Sequence, residues 1–143
     1  MLSLYCKTKK MKDNKELLTA IYSHFPDSED KDETMCNLIN DCIETGITYE
    51  TGITYWNTKW PDTKSTNEYF GDAVWEDVKN GESLDFGDED EVGTLNLENI
   101  LKALEHLKKN SPDTYSDLQN EDWDAYTCDE FFQTAVFGEV VFG

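Results

Sequence analysis

The chain has 143 residues, of which 31 are Asp or Glu and 12 are Lys, and its formal net charge is −19. This length fits one domain, and a hydrophobic content of 38% is enough for one core. So acidic a surface repels phosphate backbones and anionic lipids, which argues against direct nucleic-acid or membrane binding and favours a basic partner. The apolar runs fall short of a signal peptide or a membrane span, so we expect a cytoplasmic protein.

The charge divides the chain into a basic arm and an acidic body. Residues 1–15 contain five lysines and one acid, a net +4, whereas the remaining 128 residues carry seven lysines and 30 acids, a net −23. We predict a basic N-terminal arm over residues 1–12 and a single acidic α+β domain over residues 13–143. The arm is expected to fold back on the acidic surface of that domain.

The first third of the domain predicts two helices. Asp13, followed three residues later by Glu16, is an N-cap signal, and apolar residues at helical spacing continue to a stop near Pro26. A second helix follows the acidic loop 27–33. It should end at Gly46, because glycine is the preferred residue after a helix.

The middle of the chain predicts strands. The hexapeptide Glu-Thr-Gly-Ile-Thr-Tyr occurs at 44–49 and again at 50–55, and residues 53–56 are the first strand candidate. Asn80-Gly81 is a hairpin signal, because both central residues of a type I′ turn need positive φ. We therefore expect antiparallel strands over 73–79 and 82–86.

The last third predicts two helices and a terminal strand. The third helix covers 97–109 and is capped by Asn96 or Thr94, a loop runs from 111 to 122, and the fourth helix begins near 123 and ends at Gly138. Residues 139–143 are expected to form a buried strand. The predicted fold is α+β, with three to four helices packed on a small, mainly antiparallel sheet.

Residues suited to catalysis or metal binding form no recognisable motif. His24, His106 and the four cysteines lack paired zinc spacing, and we expect reduced, mostly buried thiols. The acidic run from Asp88 has Val92 and Asn99 where a calcium loop needs an oxygen ligand and a bidentate glutamate. With so many carboxylates, no acid–base pair can be chosen from sequence. We predict no catalytic residue, no metal site and no cofactor.

Acidic residues gather in three clusters, which are the predicted partner-binding residues. A surface this rich in carboxylates can occupy a basic channel that otherwise binds DNA or RNA. An aromatic-rich stretch over 49–75 has too few lysines for a nucleic-acid groove, so we expect its rings to pack in the core, with a protein-binding patch as the alternative. The predicted contact residues are Asp27, Glu29, Asp30, Asp32, Glu33, Asp85, Asp88, Glu89, Asp90, Glu91, Glu121, Asp122, Asp124, Asp129 and Glu130.

Two segments carry a resemblance to known proteins. They are Ile43-Glu44-Thr45-Gly46-Ile47-Thr48-Tyr49, with its repeat ending in Tyr55-Trp56, and Phe131-Phe132-Gln133-Thr134-Ala135-Val136-Phe137-Gly138-Glu139-Val140-Val141-Phe142-Gly143. Together they resemble a group of small acidic proteins of tailed phages and mobile elements, in which the first motif occurs as a single copy. The resemblance implies a phage origin, and small acidic phage proteins are often inhibitors of host defence, including anti-CRISPR and anti-restriction proteins.

We therefore expect an inhibitor that acts in the cytoplasm of an infected bacterium. Its acidic surface would mimic DNA or RNA and bind a basic, nucleic-acid-binding defence protein of the host. One alternative is a phage accessory or assembly protein that uses the aromatic stretch to contact a partner or to form a homodimer. A small enzyme is the other alternative.

Overall fold

In the computed structural model, the described residues are 13–47, 54–55, 70–87 and 90–141. These ranges contain six α-helices and a three-stranded antiparallel sheet in the order β1-β2-β3. The helices are α1 (Asn14–Tyr22), α2 (Lys31–Asp41), α3 (Phe70–Lys79), α4 (Leu97–Asn110), α5 (Pro112–Gln119) and α6 (Ala125–Phe137), and the strands are β1 (Thr54–Tyr55), β2 (Leu84–Gly87) and β3 (Val92–Leu95). The α+β class is confirmed, whereas the predicted number of three to four helices is too low.

The helix caps predicted from the sequence are present. The carboxylate of Asp13 accepts a hydrogen bond from the Glu16 amide at 2.8 Å, and the side chain of Asn96 accepts one from the Asn99 amide at 2.8 Å. Asn96 and not Thr94 is therefore the cap of α4. Gly138 ends α6 with a φ of 84°, a left-handed conformation that glycine adopts without a steric penalty.

The predicted hairpin at Asn80-Gly81 is wrong. Residues 73–79 belong to α3, where Val74 and Val78, four residues apart, are both fully buried. Gly81, at φ 101°, closes this helix: its amide bonds the Val78 carbonyl at 2.9 Å, and the Glu82 amide bonds the Asp77 carbonyl at 3.0 Å. A positive φ serves a helix end as well as a type I′ turn, so the dipeptide alone did not distinguish the two.

The hairpin of the fold instead joins β2 to β3, with Leu84 opposite Leu95 and Phe86 opposite Gly93. Three other expectations also need correction. The predicted loop over 111–122 contains α5, which begins with a proline at its first position. Gly46 does not end the second helix, because the chain continues after α2 as a π-helical segment, Cys42–Ile47. Residues 139–141 form no strand, and 142–143 lie outside the described residues.

Two predictions fall on residues that are only partly described. The first strand candidate is confirmed at Thr54–Tyr55, which pair with Gly87 and Phe86 of β2, while the rest of the second hexapeptide lies outside the described residues. The basic arm over 1–12 also lies outside them. In the described part of the aromatic stretch, the Trp75 side chain is only 2% exposed and belongs to the core.

One core joins all six helices to the sheet. The ring of Phe132 on α6 meets Phe86 on β2 edge-on, with centroids 5.1 Å apart. Five of the helices and the sheet each contribute a fully buried residue, namely Ile21, Leu38, Leu95, Leu104, Leu118 and Phe131. This packing fixes α2 beside the loop that follows α5, which is where the acidic residues of distant segments meet.

Candidate partner-binding site

A cleft of about 430 Å³ lies between the start of α2, the loop before it and the loop after α5. We call it the acidic cleft. Five of its eight described lining residues are exposed carboxylates, and lysine is absent among those eight. The lining residues are Asp27, Ser28, Glu29, Asp30, Glu33, Thr34, Asn37 and Glu121.

Two buried hydroxyl groups and the Glu121 carboxylate are linked by hydrogen bonds in the floor of this cleft. The hydroxyl oxygens of Ser28 and Thr34, both buried, are 2.7 Å apart, and the Thr34 hydroxyl donates to Oε1 of Glu121 at 2.9 Å. Since Thr34 has one hydroxyl proton, Ser28 is the donor in the first of these bonds. Through Thr34, the chain of bonds joins Ser28 of the loop before α2 to Glu121, which lies 87 positions after Thr34.

Two backbone features position the carboxylates. The side chain of Asp30 caps α2 by accepting a hydrogen bond from the Glu33 amide at 3.0 Å. Glu121 has a φ of 54°, the one positive φ among the described residues other than glycine. A non-glycine residue in this region costs on the order of 1 kcal/mol, which the bond from Thr34 helps to offset.

The acidic cleft has an excess of negative charge within the described part of the chain, with five carboxylates and one lysine, Lys31, beside it. None of the ion pairs among described residues uses one of its five carboxylates; the described lysine beside it, Lys31, donates to the Ser28 carbonyl at 3.1 Å. Repulsion between neighbouring carboxylates therefore favours the approach of an external cation. Among the described residues, no group of three or more His, Cys, Asp or Glu side chains is arranged to hold a metal ion.

Asp32, predicted to contact a partner, instead has a structural role. Its Oδ1 atom accepts hydrogen bonds from the Trp75 indole at 2.9 Å, the Lys79 ammonium at 3.1 Å and the Tyr22 hydroxyl at 3.4 Å. Partial burial acts to raise the pKa of Asp32, but the bonds from Trp75 and Lys79 outweigh it, so this pKa lies below its ordinary value. Asp32 thus fastens α2 to α1 and α3.

Four more of the predicted contact residues hold internal hydrogen bonds. Glu130 accepts from the Ser111 hydroxyl at 2.9 Å and the Thr114 hydroxyl at 2.6 Å, which ties α6 to the start of α5. Asp124 and Asp129 accept within α6 or at its start, from the Thr127 amide and from Gln133. Asp85 on β2 accepts from the Thr94 hydroxyl on β3. Hydrogen bonds from the amide and from the side chain of Thr127 hold the pKa of Asp124 below its ordinary value.

The predicted acidic clusters thus divide. The structure brings Asp27, Glu29, Asp30 and Glu33 together with Glu121. Asp90, Glu91 and Asp122 are exposed but do not line the acidic cleft, and Asp88 and Glu89 lie outside the described residues. The sequence interpretation missed the floor, Ser28 and Thr34, and the wall residue Asn37. Helical spacing from Glu33 to Asn37 was the available signal for the latter.

The cysteines and His24 are packed against neighbouring helices. The Cys36 thiol donates to Asp72 at 3.2 Å, and partial burial together with this carboxylate raises its pKa to about 12, so the thiol stays protonated at neutral pH. Cys42 and Cys128 are buried and Cys36 is half-buried, and none of the three forms a disulfide, so the prediction that the cysteines are mostly buried is confirmed for the described positions. Nδ1 of His24 is hydrogen-bonded to the Tyr115 hydroxyl at 2.6 Å, and burial lowers its pKa.

Comparisons with known proteins assign this chain to no family. No protein-family model matches it, and neither a curated protein nor a solved structure shows significant similarity to it. Within the described ranges, no helix combines the length and the apolar character that crossing a membrane requires. Inference about function therefore depends on the chemistry of the acidic cleft and its surroundings.

Proposed function

We propose that this protein is a phage-encoded inhibitor that binds the nucleic-acid channel of a basic host defence protein. The observation that supports this proposal best is the acidic cleft, in which residues from two distant segments place five carboxylates around one cavity without a compensating lysine in its described lining. The resemblance to small acidic phage proteins adds the origin and the class of target.

The mechanism is competition for a positively charged surface. Duplex DNA carries one negative charge per about 1.7 Å of helix axis, and proteins bind it through lysine and arginine contacts to phosphates. A protein surface with several free carboxylates offers the same lysines and arginines an alternative set of acceptors. The carboxylates act here as counter-charges, and no covalent bond is made or broken.

A substitution series separates this cleft from the general acidity of the chain. The cleft variant carries Asp27→Asn, Glu29→Gln, Glu33→Gln and Glu121→Gln, and leaves the cap residue Asp30 unchanged. A matched control removes the same charge at four exposed acids elsewhere, through Glu16→Gln, Glu98→Gln, Asp113→Asn and Glu139→Gln. If the cleft is the binding surface, only the first variant loses the partner.

The experiment is a capture from bacterial host lysate with the full chain as bait, at low and at high salt. We expect a basic nucleic-acid-binding protein that is retained at low salt, is released at high salt, and is displaced by added DNA or RNA. The control variant should capture the same protein and the cleft variant should not. A captured protein that nucleic acid does not displace, or one that both variants bind equally well, would argue against the proposal.

A further inference from the structure

Two aromatic residues follow Glu121 closely in the chain, outside the acidic cleft. Tyr126, in the first turn of α6, is 78% exposed, which is the highest exposure of any large hydrophobic side chain in the described ranges. Trp123 is half-buried against the core, and its indole Nε1 donates to Oδ2 of Asp41 at 2.8 Å. This hydrogen bond fixes the indole ring beside the end of α2.

The charged residues that neighbour these two aromatic residues in the sequence are all acidic. Residues 110–143 contain eight acids and no lysine. Asp122 and Asp124 flank Trp123, and Asp129 lies one helical turn after Tyr126. The face of an aromatic ring attracts cations, and this segment supplies none. An exposed tyrosine in such surroundings therefore suits a cationic side chain of another molecule.

We propose that Tyr126, three residues after the half-buried Trp123, is a docking site for arginine side chains of a protein partner. The inference rests on the proposed function, and it names the side chain by which the basic partner is recognised. A guanidinium is planar and weakly hydrated, so it stacks on an aromatic ring while it donates paired hydrogen bonds to a carboxylate such as Asp122. A lysine ammonium is a strongly hydrated point charge and gains less from the ring.

Acetylated hexa-arginine and hexa-lysine peptides are suitable probes, with affinity measured by calorimetry at low salt. For the unmodified chain we expect the arginine peptide to bind about two- to fivefold more tightly, the range for one exposed cation–π contact. Tyr126→Ala should remove this preference and leave the affinity for the lysine peptide nearly unchanged. Tyr126→Phe should retain the preference, because the ring face and not the hydroxyl makes the contact.

The control is Val92→Ala, which shortens another exposed apolar side chain on β3 and should leave both affinities unchanged. Circular dichroism shows whether each variant is folded. Equal affinity of the unmodified chain for the two peptides, or a preference that survives in Tyr126→Ala, would overturn the inference. The cleft variant distinguishes this failure from failure of the proposed function. Its affinity for both peptides should fall by the same factor. If its affinity for neither peptide falls, the proposed function itself is contradicted.

Discussion

Asp32 and Glu33 are neighbours in the sequence, yet they belong to different parts of the molecule. Asp32 points toward α1 and α3, where it accepts hydrogen bonds from Tyr22, Trp75 and Lys79. Glu33, about 100° further around α2, lines the acidic cleft. A run of acids at the start of a helix is therefore not one surface: part of it stabilises the fold, and the remainder is available to a partner.

The largest effect should come from removing the carboxylate that holds the fold. Asp32→Ala leaves the buried Trp75 indole without an acceptor and Lys79 without this partner, so we expect a loss of about 2 kcal/mol in the free energy of unfolding. Glu33→Ala should change it by no more than about 0.5 kcal/mol. Urea denaturation of the two variants measures both values, and equal losses would show that the two acids do not differ in role.

The second-largest loss of stability should come from a substitution in the floor of the acidic cleft. Thr34→Val keeps the side-chain volume but removes the hydroxyl that joins Ser28 to Glu121, and it leaves the Ser28 hydroxyl buried without its acceptor. We expect a loss of about 1 to 2 kcal/mol in unfolding free energy. Thr34→Ser, which retains the hydroxyl, should cost less; if the two variants are equally destabilised, the hydrogen bonds contribute nothing.

A smaller difference should appear in the dependence of stability on pH. Because the pKa of Asp32 is lowered in the folded protein, its contribution is complete above the ordinary value near 3.8 and is lost as the pH falls through the folded pKa. Thermal unfolding of Glu33→Ala should show this acid-induced loss, whereas Asp32→Ala should show less of it. Parallel pH profiles for the two variants would mean that Asp32 has no special interaction in the fold.

The smallest expected effect is a gain. The amides of the cleft variant relieve repulsion between carboxylates, and the amide oxygen introduced by Glu121→Gln still accepts the hydrogen bond from Thr34. We therefore expect its unfolding free energy to rise by a few tenths of a kcal/mol at low salt and to match the unmodified chain at high salt. Chemical denaturation at two salt concentrations measures the difference. Destabilisation that persists at high salt would indicate that these side chains have a structural role like that of Asp32.

Local signals in the sequence identified the elements with a distinct terminus and a regular apolar face. Asp13, Asn96 and Gly138 mark helix ends as predicted, because capping depends on residues only a few positions away. Asn80-Gly81 misled because its backbone conformation serves two structures. The choice between them depended on the burial of Val74 and Val78, which tertiary packing decides.

The candidate site was predictable only in part for a similar reason. Acid runs at 27–33 and 121–130 are visible in the sequence, but they meet because the core packs α2 beside the loop after α5, where Thr34 bonds Glu121, 87 residues away. Within the first of these runs, the turn of α2 then directs Asp32 away from the acidic cleft that Glu33 lines. Composition therefore predicted an acidic surface correctly in kind, while the fold selected which of the acids line one cavity.

The most direct test of a charge-mimicking cleft is the salt dependence of affinity for the captured partner. Calorimetry over a range from about 50 to 500 mM salt would give the slope of log affinity against log salt, which reflects the number of ions released on binding. We predict a steep slope for the unmodified chain and the control variant; the cleft variant, which is too weak a binder for capture from lysate, should show a clearly shallower slope at the higher concentrations of calorimetry. An affinity that stays flat across this range, or equal slopes for the two variants, would contradict the proposal that the acidic cleft binds a nucleic-acid channel.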